Sequence, residues 1–272
     1  MNIFDKTGKA FFNFVRYILV LFTLFYLSLK VLWTNRKLGH REFFRQVLLQ
    51  IYFTGIQAIL PILVLALLVG TFAIISAMGG AAFSGAEQVG RVVTVVLIRE
   101  LAPLLTGSII IARSITAITT ELGTMRVQRE IEALEAMGIS PIHHLITPRL
   151  VGGVLSFAAL TVFFGFVALI SGFLIAQTMV PIPIELFVHF VFSAVQPTDI
   201  PALSIKVLGG GAGMFIIACY HGLSVRRAST EVPVAVSTAA LNAFIFLIAL
   251  HVGVSASMFL RSNSFELLGV VL

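Results

Sequence analysis

The sequence predicts an all-α integral membrane protein with about five transmembrane helices, N-terminal interfacial helices and one short helix outside the bilayer. Three observations lead there. Of 272 residues, 58% are hydrophobic and 11% charged, with a mean hydropathy of +1.05; that leaves too little polar surface to cover a soluble globule. Apolar runs long enough to cross a bilayer, about 20 residues each, recur along the chain. A single long polar segment, residues 121–149, interrupts them. The length suits one membrane domain over 46–272, preceded by an N-terminal element over 1–45.

In the N-terminal element, Lys6, Lys9 and Arg16 precede the apolar run Tyr17 to Leu29, and Lys30, Arg36, Lys37, Arg41 and Arg45 follow it. Both ends therefore prefer the cytoplasmic surface. Interfacial or shallowly inserted helices with snorkelling cations are expected over 5–45, with a true span as the alternative. A cleaved signal peptide is not expected, because no small-x-small site follows the aromatic-rich run.

The first span is expected from about Tyr52 to Met78, with a kink tolerated at Pro61, and the small polar residues Gly79 to Gln88 turn the chain. Further spans are expected over about Val89–Thr120, Leu150–Met179, Leu203–Gly222 and Val234–Phe259. Prolines 181, 183, 197 and 201 bracket a loop in which Glu185 to Val195 form a short surface helix. With the N-terminus cytoplasmic, thirteen Lys/Arg fall on that side. Three (Arg91, Lys206 and Arg261) fall on the other, which places 121–149 in the cytoplasm and the C-terminus outside it.

Several chemistries are excluded or weak. The net charge of +6 is concentrated before residue 46 rather than interleaved with stacking aromatics, which suits anionic headgroups and not nucleic acid. The lone Cys219 excludes an intrachain disulfide and reads as packing. The six histidines show no metal-ligand spacing, and the adjacent His143 and His144 read as interfacial or solvated. No phosphate-cradling GxxxxGK[ST] occurs; Gly209 and Gly213, four apart in an apolar run, permit close helix approach instead. Ser108/Ala112 and Ala168/Gly172 have the same spacing.

Within 121–149, Val127, Ile131, Leu134 and Gly138 fall on one helical stripe, with Glu130, Ala133 and Met137 along its edge. Gly138 can end such a helix in a left-handed conformation, and Pro141 opposes continuation. The pattern Glu130, Ala133, Leu134, Met137, Gly138, Ile139, Pro141 and Pro148-Arg149 resembles the cytoplasmic coupling segment of the MlaE/YrbE permease family, membrane subunits of ABC transporters that move phospholipids or related lipids. The likeness extends through Arg99-Glu100-Leu101-Ala102-Pro103, Ala112-Arg113 and Glu121 to Arg126, and covers roughly 45 to 260. Ile115 stands where the family often has glycine, and 226–237 lacks its glycine-rich turn.

The resemblance implies a non-catalytic permease in a bacterial inner membrane, forming a homodimer with a lipid cavity at its interface. Its implied partners are cytoplasmic ABC ATPase subunits that bind the ATP and Mg, a periplasmic MCE-domain protein, and a small cytoplasmic accessory subunit. The transport would support outer-membrane lipid asymmetry. On this reading Glu130, Ile131, Ala133, Leu134, Met137 and Gly138 couple to the ATPase.

Arg99 and Glu100 sit in an apolar run ahead of Pro103, where charges are tolerated only facing protein or water. Together with Arg113 they are candidates to line a lipid cavity; the alternative is a buried structural ion pair. Consecutive residues on a helix diverge by about 100°, so Arg99 and Glu100 are expected to contact different partners. Arg113 and Glu121 nearly share a face and could pair, and His251 reads as hydrogen-bonded packing. Two rival functions remain: an ion-coupled secondary transporter or channel, which needs more titratable groups at depth and a repeat, and an intramembrane enzyme, for which no nucleophile and base are visible.

Overall fold

A computed structural model describes residues 3–34, 40–84, 93–179, 183–193, 195–226 and 228–269. Every regular element among them is helical. Helix α1 is Ile3–Thr34 and α2 is His40–Thr54; a 3-10 turn, Ile56–Ala58, leads into α3, Ile59–Ser84. A π-helical stretch, Val93–Leu101, precedes α4, Ala102–Ile110, and another, Ile111–Ile115, joins it to α5, Thr116–Val127. The short α6, Glu130–Ala136, is followed by the π-helical turn Ile142–Ile146 and α7, Thr147–Met179. After α8, Ile184–Ser193, come α9, Asp199–Ser204, a π-helical turn at Ile205–Gly209, α10, Gly210–Ser224, and α11, Glu231–Gly269.

Six stretches among the described residues are long and apolar enough to cross a membrane: Val15–Trp33, Arg41–Ser76, Val96–Val127, Ile142–Thr178, Asp199–Ser224 and Glu231–Leu260. The last five contain or overlap the five expected spans. The turn expected at Gly79 to Gln88 is corrected in part, because α3 continues through Ser84; its remainder lies outside the described residues. The expected surface helix is α8.

Proline decides several of these boundaries. It lacks an N–H and is tolerated only where that donor has no helical acceptor. Pro103, Pro148, Pro201 and Pro233 all fall in the first turn of their helices. Pro61 does so as well, just after the 3-10 turn at Ile56–Ala58. The α2–α3 rod, 36 residues over Arg41–Ser76, is roughly 54 Å long against a hydrocarbon core about 30 Å thick. Its basic beginning therefore projects beyond the core.

Helix α1 is one continuous helix of 32 residues. The Tyr17 hydroxyl at its middle lies 3.3 Å from His221 Nε2, near the C-terminal end of α10. The Phe43 ring, on the first turn of the following helix, lies 6.1 Å from the ring of His143. Antiparallel packing of α7 and α10 puts His143 and His221 at the same end of the bundle. The middle of α1 and the first turn of α2 therefore both sit at that end.

Helices α3 and α7 cross most closely. A Cβ on Gly70 would overlap the carbonyl of Ala168, and one on Gly172 would overlap the Ile74 side chain. The Ala168/Gly172 spacing thus marks a real crossing, and Gly213 does the same against Phe246 of α11. Ser108/Ala112 does not, since Ala112 is exposed. Gly70→Val should destabilise the protein by about 1–3 kcal/mol through overpacking. Gly165→Ala, whose Cβ meets nothing within 4 Å, should leave it unchanged; thermal unfolding in detergent measures both.

Phe157, Phe164, Met214 and Phe215 fill the centre with Leu97, Ile110 and Leu122. Cys219 is fully buried among them, as the packing reading anticipates.

Candidate functional site

The π-helical stretch Val93–Leu101 carries Arg99 and Glu100 to the meeting point of three crossing segments. The Glu100 carboxylate accepts hydrogen bonds from Lys206 Nζ at 2.9 and 3.0 Å and from Ser255 Oγ at 2.9 and 3.0 Å. His251 Nε2 lies 3.0 Å from the Glu100 backbone carbonyl and 3.4 Å from its carboxylate. Both neighbours of Nε2 are acceptors, so that nitrogen carries the proton in neutral histidine.

Arg99 turns elsewhere, as the divergence of consecutive helical residues requires. Its Nη1 lies 3.2 Å from Asp199 Oδ1 and its Nη2 donates to the Met258 sulfur at 3.0 Å. The Arg99 Nε also approaches Glu100 at 3.6 Å. Lys206 Nζ donates a further bond to the Arg99 carbonyl at 3.1 Å.

Two cations and two carboxylates thus neutralise one another at membrane depth. The cluster joins the stretch before α4 to the start of the α9–α10 segment and to α11. Lys206 is 0% exposed, which only a paired ammonium can sustain. It is corrected from the external side, where the charge count places it, to the bundle interior. The side chains of Glu100 and Arg99 remain 33% and 20% exposed, so one edge of the cluster is open.

Arg99 and Glu100 each meet an opposite charge, as the ion-pair alternative describes, while Arg99 Nε makes no hydrogen bond. Asp199, Lys206 and Ser255 are the members missed in the sequence. A lysine inside an apolar run was the available signal, since it requires an anion at the same depth.

Arg113 is not brought to this cluster. It lies fourteen positions beyond Arg99, about 20 Å along a helix, and its Nη2 donates to Gln57 Oε1 at 2.7 Å. The pairing considered for Arg113 and Glu121 is corrected as well: Glu121 pairs with Arg149 at 2.7 Å.

The polar segment departs from the single expected stripe for a local reason. Arg129 adopts φ 60, which breaks the helix between Val127 and Glu130. Val127 therefore belongs to α5 and lies off any ridge of α6. Ile131 is 2% exposed and packs into the protein's own core, with Leu134 partly buried beside it. Contrary to expectation, Ile131 offers no side chain to a partner here.

Exposed instead are Glu130, Ala133 and Met137, the last at 66%, followed by Ile139. Glu130 and Glu132 occupy the first turn of α6, where the helix dipole favours acids. Glu132 pairs with Arg126 at 3.0 Å.

Gly138 ends the helix as anticipated, at φ 75. Its N–H bonds the Glu135 carbonyl at 2.9 Å, and that of Ile139 bonds the Leu134 carbonyl at 2.9 Å; this pair of reversed bonds forms a Schellman motif. A half-polar groove of about 660 Å³, lined by residues including Arg126, Glu132, Arg226 and Glu231, runs beside α6.

A polytopic α-helical bundle, with a neutralised charge cluster inside and a short capped helix projecting between two crossings, defines a multi-pass membrane protein. Residues 47–257 match the family described as Permease MlaE, and the chain belongs to that family.

Among curated relatives, the intermembrane phospholipid transport system permease protein MlaE of Haemophilus influenzae is 26% identical over 223 residues, 80% of this chain and 85% of the relative. A probable ABC transporter permease protein of Rickettsia prowazekii is 27% identical over 170 residues, 62% of this chain and 66% of that protein's length. The chloroplastic protein trigalactosyldiacylglycerol 1 of Arabidopsis thaliana is 31% identical over 138 residues, 51% of this chain and 39% of its own length.

Proposed function

We propose that this protein is the membrane permease subunit of an ABC transporter that moves phospholipid or a related lipid between the inner membrane and a periplasmic MCE-domain protein, supporting outer-membrane lipid asymmetry. The match of residues 47–257 to the Permease MlaE family carries the reading. Two features of the structure support it. Helix α6 presents Met137 and Ile139 as an apolar knob on the side that the basic residues assign to the cytoplasm, suited to a groove on an ATPase that binds ATP and Mg. On α11, Leu241, Ile245, Ile248 and Val252 form an exposed stripe at helical spacing, suited to a second copy of the chain.

The open edge of the charge cluster then lies where a cavity between protomers could reach it. Movement of α11 would separate Ser255 and His251 from Glu100 and free Arg99 or Lys206 to meet a lipid phosphate. ATP hydrolysis by the partner would drive that exchange, and this chain would supply no catalytic group.

The buried His251 and Lys206 and the half-buried Glu100 are also groups an ion-coupled transporter would use, so the test must separate the two. Purified alone, the protein should carry phospholipid and hydrolyse no ATP. Isolated in mild detergent from its own cells, it should bring a P-loop ATPase and an MCE-domain protein with it. Lipid transfer that needs no ATP and stops when the proton gradient is dissipated would overturn the proposal.

A further inference from the structure

Helix α2 carries a second lipid-facing feature, far from the charge cluster. Arg45 lies four positions after Arg41, Leu48 and Leu49 lie three and four after Arg45, and Tyr52 lies four and three after them, so they form a single stripe. With Phe44 they line a groove of about 510 Å³ whose wall is almost wholly apolar below the two arginines. Both arginines are exposed, and so are the four apolar and aromatic side chains.

We propose that this groove is a binding site for an anionic phospholipid of the surrounding membrane, with its phosphate held by Arg41 and Arg45 and its acyl chains laid along Leu48, Leu49 and Tyr52. Three observations select this occupant. The α2–α3 rod outruns the hydrocarbon core, so its apolar part lies among lipid chains and its arginines lie at headgroup level. From Arg45 to Tyr52 the stripe descends about 10 Å, which matches the upper part of an acyl chain.

Charge complementarity makes the third argument. Two guanidiniums one turn apart offer forked donors to a phosphodiester. The nearest carboxylate, Glu42, makes only a long 3.7 Å contact with Arg45 and also accepts from Gln46 at 3.0 Å. Among the described residues of α2 one net positive charge is left there, and it disfavours a zwitterionic headgroup, whose ammonium it repels. The site is independent of which lipid is transported.

Native mass spectrometry of the full chain in mild detergent, titrated with phosphatidylglycerol and separately with phosphatidylcholine of the same chains, tests this. The wild type should hold phosphatidylglycerol about tenfold more tightly than phosphatidylcholine, a difference well within the reach of two charge-assisted contacts. Arg41→Gln/Arg45→Gln should abolish the preference with the melting temperature unchanged, as both residues are exposed. Arg16→Gln/Lys30→Gln, which removes the same charge from exposed positions of α1, should retain it.

Equal affinity for the two lipids in the wild type would overturn the proposal, as would a preference that survives in the α2 variant or disappears in the α1 variant. A dimer that dissociates in the α2 variant would overturn it too, by assigning this face to contact between copies. No ATPase or transfer enters the measurement, so its failure leaves the transporter reading untouched.

Discussion

Glu100→Leu should cost the folded protein about 3 to 5 kcal/mol, the penalty for leaving a buried charge without its partner. The reason lies in Lys206, which is 0% exposed. Without Glu100, its ammonium keeps only the Arg99 carbonyl as an acceptor. Size-exclusion chromatography and thermal unfolding in detergent should show a large loss of monodisperse protein.

Glu100→Leu/Lys206→Met removes both charges and should recover most of the yield, because an apolar pair of similar volume can replace a buried ion pair at little net penalty. A single variant as stable as the wild type would show the cluster to be solvated and structurally dispensable. The double variant then isolates function. If it folds, retains its ATPase and transfers no lipid, the charges act on the cargo as well as on the bundle.

Met137→Asp should abolish retention of the ATPase while membrane abundance stays normal. Met137 is exposed beyond the end of α6, so an aspartate there meets water in the isolated protein and desolvation only in the complex. A hot-spot contact of at least 2 kcal/mol corresponds to roughly a thirtyfold loss of affinity. Leu134→Asp should behave differently, lowering abundance, because Leu134 packs against the protein's own core. Glu135→Ala, exposed on the same helix, should alter neither quantity. Normal co-purification of the ATPase with Met137→Asp would remove α6 as the coupling element.

What the sequence disclosed and what it concealed follow from the range of the interactions. Hydropathy is summed over neighbours, so the crossing segments were legible, and so was the end of α6, where Gly138 supplies a backbone conformation that other residues resist. The Gly213 and Gly172 contacts were legible for the same reason. Glu100 and Lys206 are 106 positions apart, and no local pattern states that they meet; only the penalty for an unpaired charge at depth hints at it. The single stripe through Val127 and Ile131 failed because Arg129 adopts a left-handed conformation without being glycine. A period of 3.6 residues cannot register such a break.

The attachment of α1 bears on how the chain is made. Only about 6% of its apolar stretch is buried against the rest of the protein. Its polar joint is to His221 and Asn242, 204 and 225 positions later. Helix α1 also packs on the turn Ile142–Ile146 and on α7, but this polar joint can close only once α10 and α11 have been made. The lipid surface is what keeps it nearby. By confining the helix to a plane, the bilayer turns closure of a very long loop into a two-dimensional search.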